Sequence, residues 1–195
     1  MGVFAKPPAN TQQIMHPALY REGKAAAPQK IDLPDGVPGS DWTKLEENSM
    51  GEFGWKEVLK QFLDEDLAKK VAAGWDGDDY ATYEQVGSKR LMLFTRIRFT
   101  TEEGASQLFA EYSEALGKKY SERRRVSREG KYLSFDTADG GVFLRCSGRE
   151  CITLEGGDRE QFAKWVKKLS WPQNTPEPTR PADPKAAEAQ VQRTL

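Results

Sequence analysis

Histidine occurs once in the 195 residues and cysteine twice. A catalytic zinc site usually takes two or three histidines with a carboxylate, and a serine triad needs a histidine held by an acid. His16, beside Pro17, supports neither and reads as structural. No window holds the roughly 18 to 20 consecutive apolar residues that a spanning helix needs. The N-terminus has no basic stretch followed by an apolar one. Met1–Gly2 fails as a myristoylation start because Lys6 stands where serine or threonine is needed. Net charge is also missing: 29 basic and 30 acidic side chains leave −1, so no global field draws in nucleic acid or an anionic membrane. Phosphate-binding glycine loops, HExxH helices and nucleophile elbows are absent, and no cofactor is expected.

What is present is structural grammar. From Arg90 to Phe99 the residues alternate, with Leu91, Leu93, Thr95, Ile97 and Phe99 on one face and Met92, Phe94, Arg96 and Arg98 on the other. This predicts a central strand. Thr100 to Tyr120 changes to helical spacing, with Ala105, Leu108, Phe109, Tyr112, Leu116 and Tyr120 on one stripe and Thr100 and Glu103 as a capping box. One further helix is expected over Trp55–Val71, from the stripe Trp55, Val58, Leu59, Phe62, Leu63 and Leu67. It closes at Gly74 and is followed by an acidic turn, GWDGDDY, with a strand starting at Tyr80. Strands at Tyr132–Asp136, Val142–Cys146 and Cys151–Glu155 form a meander, and Asp158 with Gln161 caps a last helix to Leu169.

The expected fold is α+β: an antiparallel sheet of about five strands with three helices packed on it, an extended N-terminal arm and a disordered C-terminal tail. The arm covers residues 1–48, with one short helix at Thr11–Met15 capped by Asn10. The domain covers 49–171. The proline-rich tail, 172–195, has no apolar periodicity to offset its ordering entropy.

Chemistry is sparse. Asp76, Asp78 and Asp79 in the acidic turn could gather a hard cation, but without EF-hand spacing they read first as a solvated turn bonded to backbone amides. Cys146 and Cys151 flank a short connection, which suits a disulfide across a hairpin, with buried thiols or a redox pair as alternatives. The basic run Lys118, Lys119, Arg123, Arg124, Arg125, Arg128 and Lys131, interleaved with Tyr120 and Tyr132, admits a nucleic-acid reading. Glu122 and Glu129 dilute it, so a solvated or protein-docking face is preferred and no nucleic-acid partner is expected.

Three blocks, VFAKPPANTQQIMHPALY at Val3–Tyr20, MGEFGWKEVLKQFL leading to GWDGDDY at Met50–Tyr80, and GGVFLRCSGRECITLEG at Gly140–Gly156, carry a resemblance. The chain resembles the C-terminal portion of a family of uncharacterised bacterial proteins, common in acidobacteria and often exported. Their upstream half looks like an HExxH zinc metallopeptidase. The resemblance implies an excised piece whose metal-binding helix lies before Met1, and it favours the Cys146–Cys151 bridge. It transfers no catalytic residue, and catalysis by this chain is not expected.

The first functional expectation is therefore a non-catalytic accessory or protein-interaction domain of an exported peptidase-like protein. Its partner would be another protein or the upstream part of its own polypeptide, with Trp75 and Trp171 as exposed contacts. Its location would be extracytoplasmic if the parent is exported, and cytoplasmic if Met1 is the true start. The alternative is a small-molecule or peptide binding module with a pocket between sheet and helices, lined by Trp55, Tyr83, Phe94 and Tyr112. A hydrolase built on the acidic turn ranks last, having no visible base or nucleophile partner.

Overall fold

The alternation at Leu91–Phe99 has large apolar residues on both sides, so the strand must be covered on both. In the computed structural model, which describes residues 7–8, 11–23, 28–34, 39–169 and 171, it is. The elements run α1 (Thr11–Met15), α2 (Pro17–Arg21), β1 (Trp42–Asn48), α3 (Gly51–Lys60), α4 (Glu65–Ala72), β2 (Trp75–Gln85), β3 (Leu91–Phe99) and α5 (Glu102–Lys119). Then follow β4 (Arg124–Glu129), β5 (Tyr132–Thr137), β6 (Gly140–Ser147), β7 (Glu150–Gly157) and α6 (Arg159–Lys168). The sheet is antiparallel throughout, in the order β1-β2-β3-β7-β6-β5-β4. Two meanders thus meet where β7 returns beside β3, with α5 as the crossover between them.

Each face has its own core. One contains Ile97, Phe99, Leu133, Phe135, Val142 and Leu144 under the apolar sides of α3, α4 and α5. The other gathers Tyr83, Met92, Phe94, Tyr132, Phe143 and Leu154 against Phe162 and Trp165 of α6, with Trp42, Leu33 and Trp171 at its margin. The Phe94 and Trp165 rings stack 3.9 Å apart. Removing this much apolar surface from water is the main driving force for the layered arrangement.

Among the described residues the sheet has seven strands where about five were expected. The two additional ones are its edges. β1 buries only Trp42 and β4 buries nothing, so neither carries the apolar alternation that marks a half-buried strand. β1 falls within the stretch expected to be arm, and β4 within the stretch expected to be a basic turn. The acidic segment also differs from expectation: the strand begins at Trp75, and the register shift between Trp75 and Gly77 is a bulge inside it. Gly77 has a second role, because a Cβ there would lie 2.3 Å from the Gln29 carbonyl oxygen. The arm passes directly over it, held by the Gln29 N–H donating to the Asp76 carbonyl at 2.6 Å.

The helix expected from Trp55 to Val71 is two helices. Asp64 accepts a hydrogen bond from the Leu67 N–H at 2.9 Å and opens α4 as its N-cap. The apolar stripe continues across the break because both helices face one core. Thr101, not Thr100, caps α5, accepting from the Gly104 N–H at 3.1 Å. The capping box of α6 forms as expected from Asp158 and Gln161. In the arm, α1 spans Thr11–Met15 as expected, and Pro17 opens a second short helix instead of ending structure there. Asn10 and the tail from 172 lie outside the described residues.

Candidate functional site

Because Asp76, Asp78 and Asp79 stand on a strand, their side chains part. Asp78 turns toward α3 and is buried, 5% exposed. Its Oδ1 accepts from Ser49 Oγ (2.8 Å), the Gly51 N–H (3.0 Å) and Trp75 Nε1 (2.9 Å). Its Oδ2 accepts from the Met50 N–H (2.9 Å) and Trp55 Nε1 (3.2 Å). Five donors saturate the carboxylate and leave no lone pair aimed at a cation. Two of them are main-chain amides at the start of α3, where a helix favours negative charge. Asp76 instead faces Arg98, at 3.5 Å. Asp79 accepts from the backbone N–H groups of Leu33 and Tyr80. Burial, and then the neighbouring Glu47 and Asp78 charges, push its carboxyl up to about 6. The acidic segment is therefore a structural joint, and the cation-gathering turn is corrected to three carboxylates with separate roles. Among the described residues no group of three or more His, Cys, Asp and Glu side chains is placed to hold a metal.

Glu155, 4% exposed, stands on β7 beneath the C-terminal turn of α5. It accepts from the hydroxyls of Tyr112 (2.8 Å) and Tyr120 (2.6 Å) and from Lys119 Nζ (2.7 Å). Burial, reinforced by the Glu155 charge, raises both phenols well above the usual tyrosine range. Both donate their hydroxyl protons to Glu155 and so tie α5 to β7. His16 reaches from the arm to Glu52, 1% exposed, with Nε2 at 2.7 and 3.0 Å from its two oxygens. The lone histidine thus ties the arm to α3.

The aromatic residues expected to line a pocket or an interface are core. Trp55 and Tyr112 meet edge to face on one side of the sheet, their centroids 5.7 Å apart. Tyr83 and Phe94 lie on the other side. No single pocket contains all four. Trp75 and Trp171, expected as exposed contacts, are 4% and 5% exposed. Cys146 and Cys151 stand directly opposite each other on β6 and β7, Cα atoms 4.0 Å apart, and are joined as a disulfide within the α5-facing core.

An open, chemically distinctive place remains where sequence showed only a basic run. α5 and β4 enclose a groove of 380 Å³, lined by Ser113, Glu114, Gly117 and Lys118 of the helix, Arg123 beside β4, Val126 and Arg128 of β4, and Leu133. The Arg128 guanidinium lies 5.4 Å from the Phe109 ring centroid and that of Arg123 lies 5.7 Å from Phe135. Among the described residues neither guanidinium has a carboxylate partner. By contrast, Arg125 pairs with Asp136, Lys131 donates to Ser106 and Lys118 donates to the Phe62 carbonyl. Gly117 lets Arg123 cross close to the helix, since a Cβ there would lie 3.1 Å from its guanidinium. The groove stayed hidden in sequence because β4 has no apolar pattern. The spacing of Arg123 and Arg128 gains meaning only once β4 exists.

These observations define, among the described residues, an α+β domain: a seven-stranded antiparallel sheet covered on both faces, with hydrogen-bonded buried carboxylates and a basic groove along one edge. The chain belongs to the family described as Domain of unknown function (DUF8575), whose model matches residues 42–165, from the first strand to the last helix. No curated protein and no solved structure matches it.

Proposed function

We propose that this chain is a non-catalytic interaction domain of an exported bacterial protein, docking a protein partner or the upstream part of its own polypeptide through the α5–β4 groove. The observation that carries this reading is the pair Arg123 and Arg128, held over aromatic rings beside an open sheet edge and without acidic partners among the described residues. Aromatic-backed arginines are typical interface anchors. The five donors on the buried Asp78 carboxylate support a non-catalytic reading of the acidic segment, since its lone pairs are already engaged. An oxidising, extracytoplasmic location is supported by the buried Cys146–Cys151 bridge. An exported, peptidase-associated parent is supported by the resemblance carried in the three sequence blocks alone.

The test is photocrosslinking in cells of the native host, with the crosslinking residue placed at Val126, 55% exposed in the groove, or at the exposed Glu160 of α6. A discrete adduct from Val126 alone is expected. Equal yields from the two positions, or none from either, would refute the reading.

A further inference from the structure

We infer that the groove accepts an acidic, extended polypeptide segment, which pairs with β4 as an added strand and places carboxylates on Arg123 and Arg128. The inference rests on the docking role proposed above and names its partner's chemistry.

Three features converge on this occupant. First, among the described residues β4 ends the sheet: it pairs with β5 on one side only, so the outward main-chain groups of Arg124–Glu129 have no ladder partner there. An extended chain satisfies such groups by continuing the ladder. Second, the side chains beside that edge select charge. Arg123, Arg128 and Lys118 line the groove against the single acid Glu114. Side chains of an added strand alternate, so every second one would face α5 and meet the guanidinium forks. Third, the two guanidiniums already lie over Phe135 and Phe109. A planar fork held in place loses less freedom on binding than a lysine swept through solvent.

Two other accounts fit less well. Charges and bulges often protect sheet edges from self-pairing, and the register shift between Arg124 and Ser127, with Arg125 at φ 51°, does so for half of β4. That role does not call for arginines turned in over aromatic rings, and it leaves Ser127–Glu129 in regular register with Ser134, Leu133 and Tyr132. A nucleic acid would meet Glu114 beside the arginines, on a chain whose net charge is −1. Its continuous phosphates would be repelled where the spaced carboxylates of a strand are not.

The test uses the full chain and three labelled peptides: alternating Glu-Val, alternating Lys-Val, and Glu-Val with proline at alternate valines. Glu-Val is expected to bind, to weaken with added salt, and to slow hydrogen exchange of the β4 amides. The proline version, which loses an N–H at each proline and cannot keep an unbroken ladder, binds more weakly. Arg123→Gln with Arg128→Gln lowers Glu-Val affinity by about tenfold or more, and Arg123→Glu with Arg128→Glu shifts preference to Lys-Val. Both positions are exposed, so the variants keep the wild-type circular dichroism. The inference is overturned if Lys-Val binds the wild type equally, or if the glutamine variant binds Glu-Val undiminished. It is overturned as well if a single-stranded oligonucleotide binds the groove more tightly, or if the β4 amides become protected by self-association without peptide. A Val126 adduct in cells together with no Glu-Val protection of β4 would remove the acidic-strand inference and leave the docking role standing. Loss of both results would remove both.

Discussion

Asp78 and Asp79 are sequence neighbours with opposite fates, because successive strand residues face opposite sides of a sheet. Asp78 enters a nest of five donors. Asp79 faces the arm and other acids with only backbone donors, and its carboxyl is raised to about 6. A raised carboxyl binds its proton more tightly folded than unfolded. Its contribution to stability is therefore fully present below its ordinary value of 3.8 and is lost as pH climbs through about 6. Asp79→Asn removes that dependence: urea unfolding across pH 4 to 7 is expected to show a flatter stability profile and a gain at neutral pH. An unchanged slope would contradict the assignment. Sequence shows the acids but not the raised carboxyl of Asp79, which follows from the burial and neighbours that folding brings.

At the scale of elements, the arm and β2 depend on one glycine. The arm carbonyl of Gln29 occupies the space a side chain at 77 would need. Gly77→Ala is expected to lift residues 28–33 from β2 and to cost about 1 to 3 kcal/mol. Hydrogen exchange at Gln29, whose N–H donates to the Asp76 carbonyl, should quicken, while the β2–β3 amides stay protected. Continued slow exchange at Gln29 would show that the arm tolerates the methyl group. A similar constraint at Gly156, φ +82°, permits the close approach of β7 to the Leu91 carbonyl. Central strands and helices were legible, because burying one face imposes periodicity: β3, α5 and α6 lie where the pattern put them. The break at Gln61–Asp64 was hidden by a stripe that continues through it.

For the whole molecule, two cores on opposite faces carry the fold and the disulfide adds a local staple. Cys146 and Cys151 are five positions apart, so the bridge removes little freedom from the unfolded chain. Replacing both with serine is expected to cost about 2 kcal/mol and to leave the sheet intact. Thermal unfolding and intact mass with and without reductant check this. A mass unchanged by reductant would exclude the bridge, and loss of the folded state would mean that the two cores do not suffice. Sequence by itself determined the α+β class, the central strand and the capping box of the last helix. Each follows from local periodicity, capping chemistry or composition, all of which are written along the chain. Only the tertiary structure decided that the pocket aromatics belong to two separate cores, that both sheet edges are polar strands, and that Arg123 and Arg128 stand together over phenylalanine rings. Those facts depend on which distant segments become neighbours, and an edge strand, half solvated, leaves no apolar pattern to announce it.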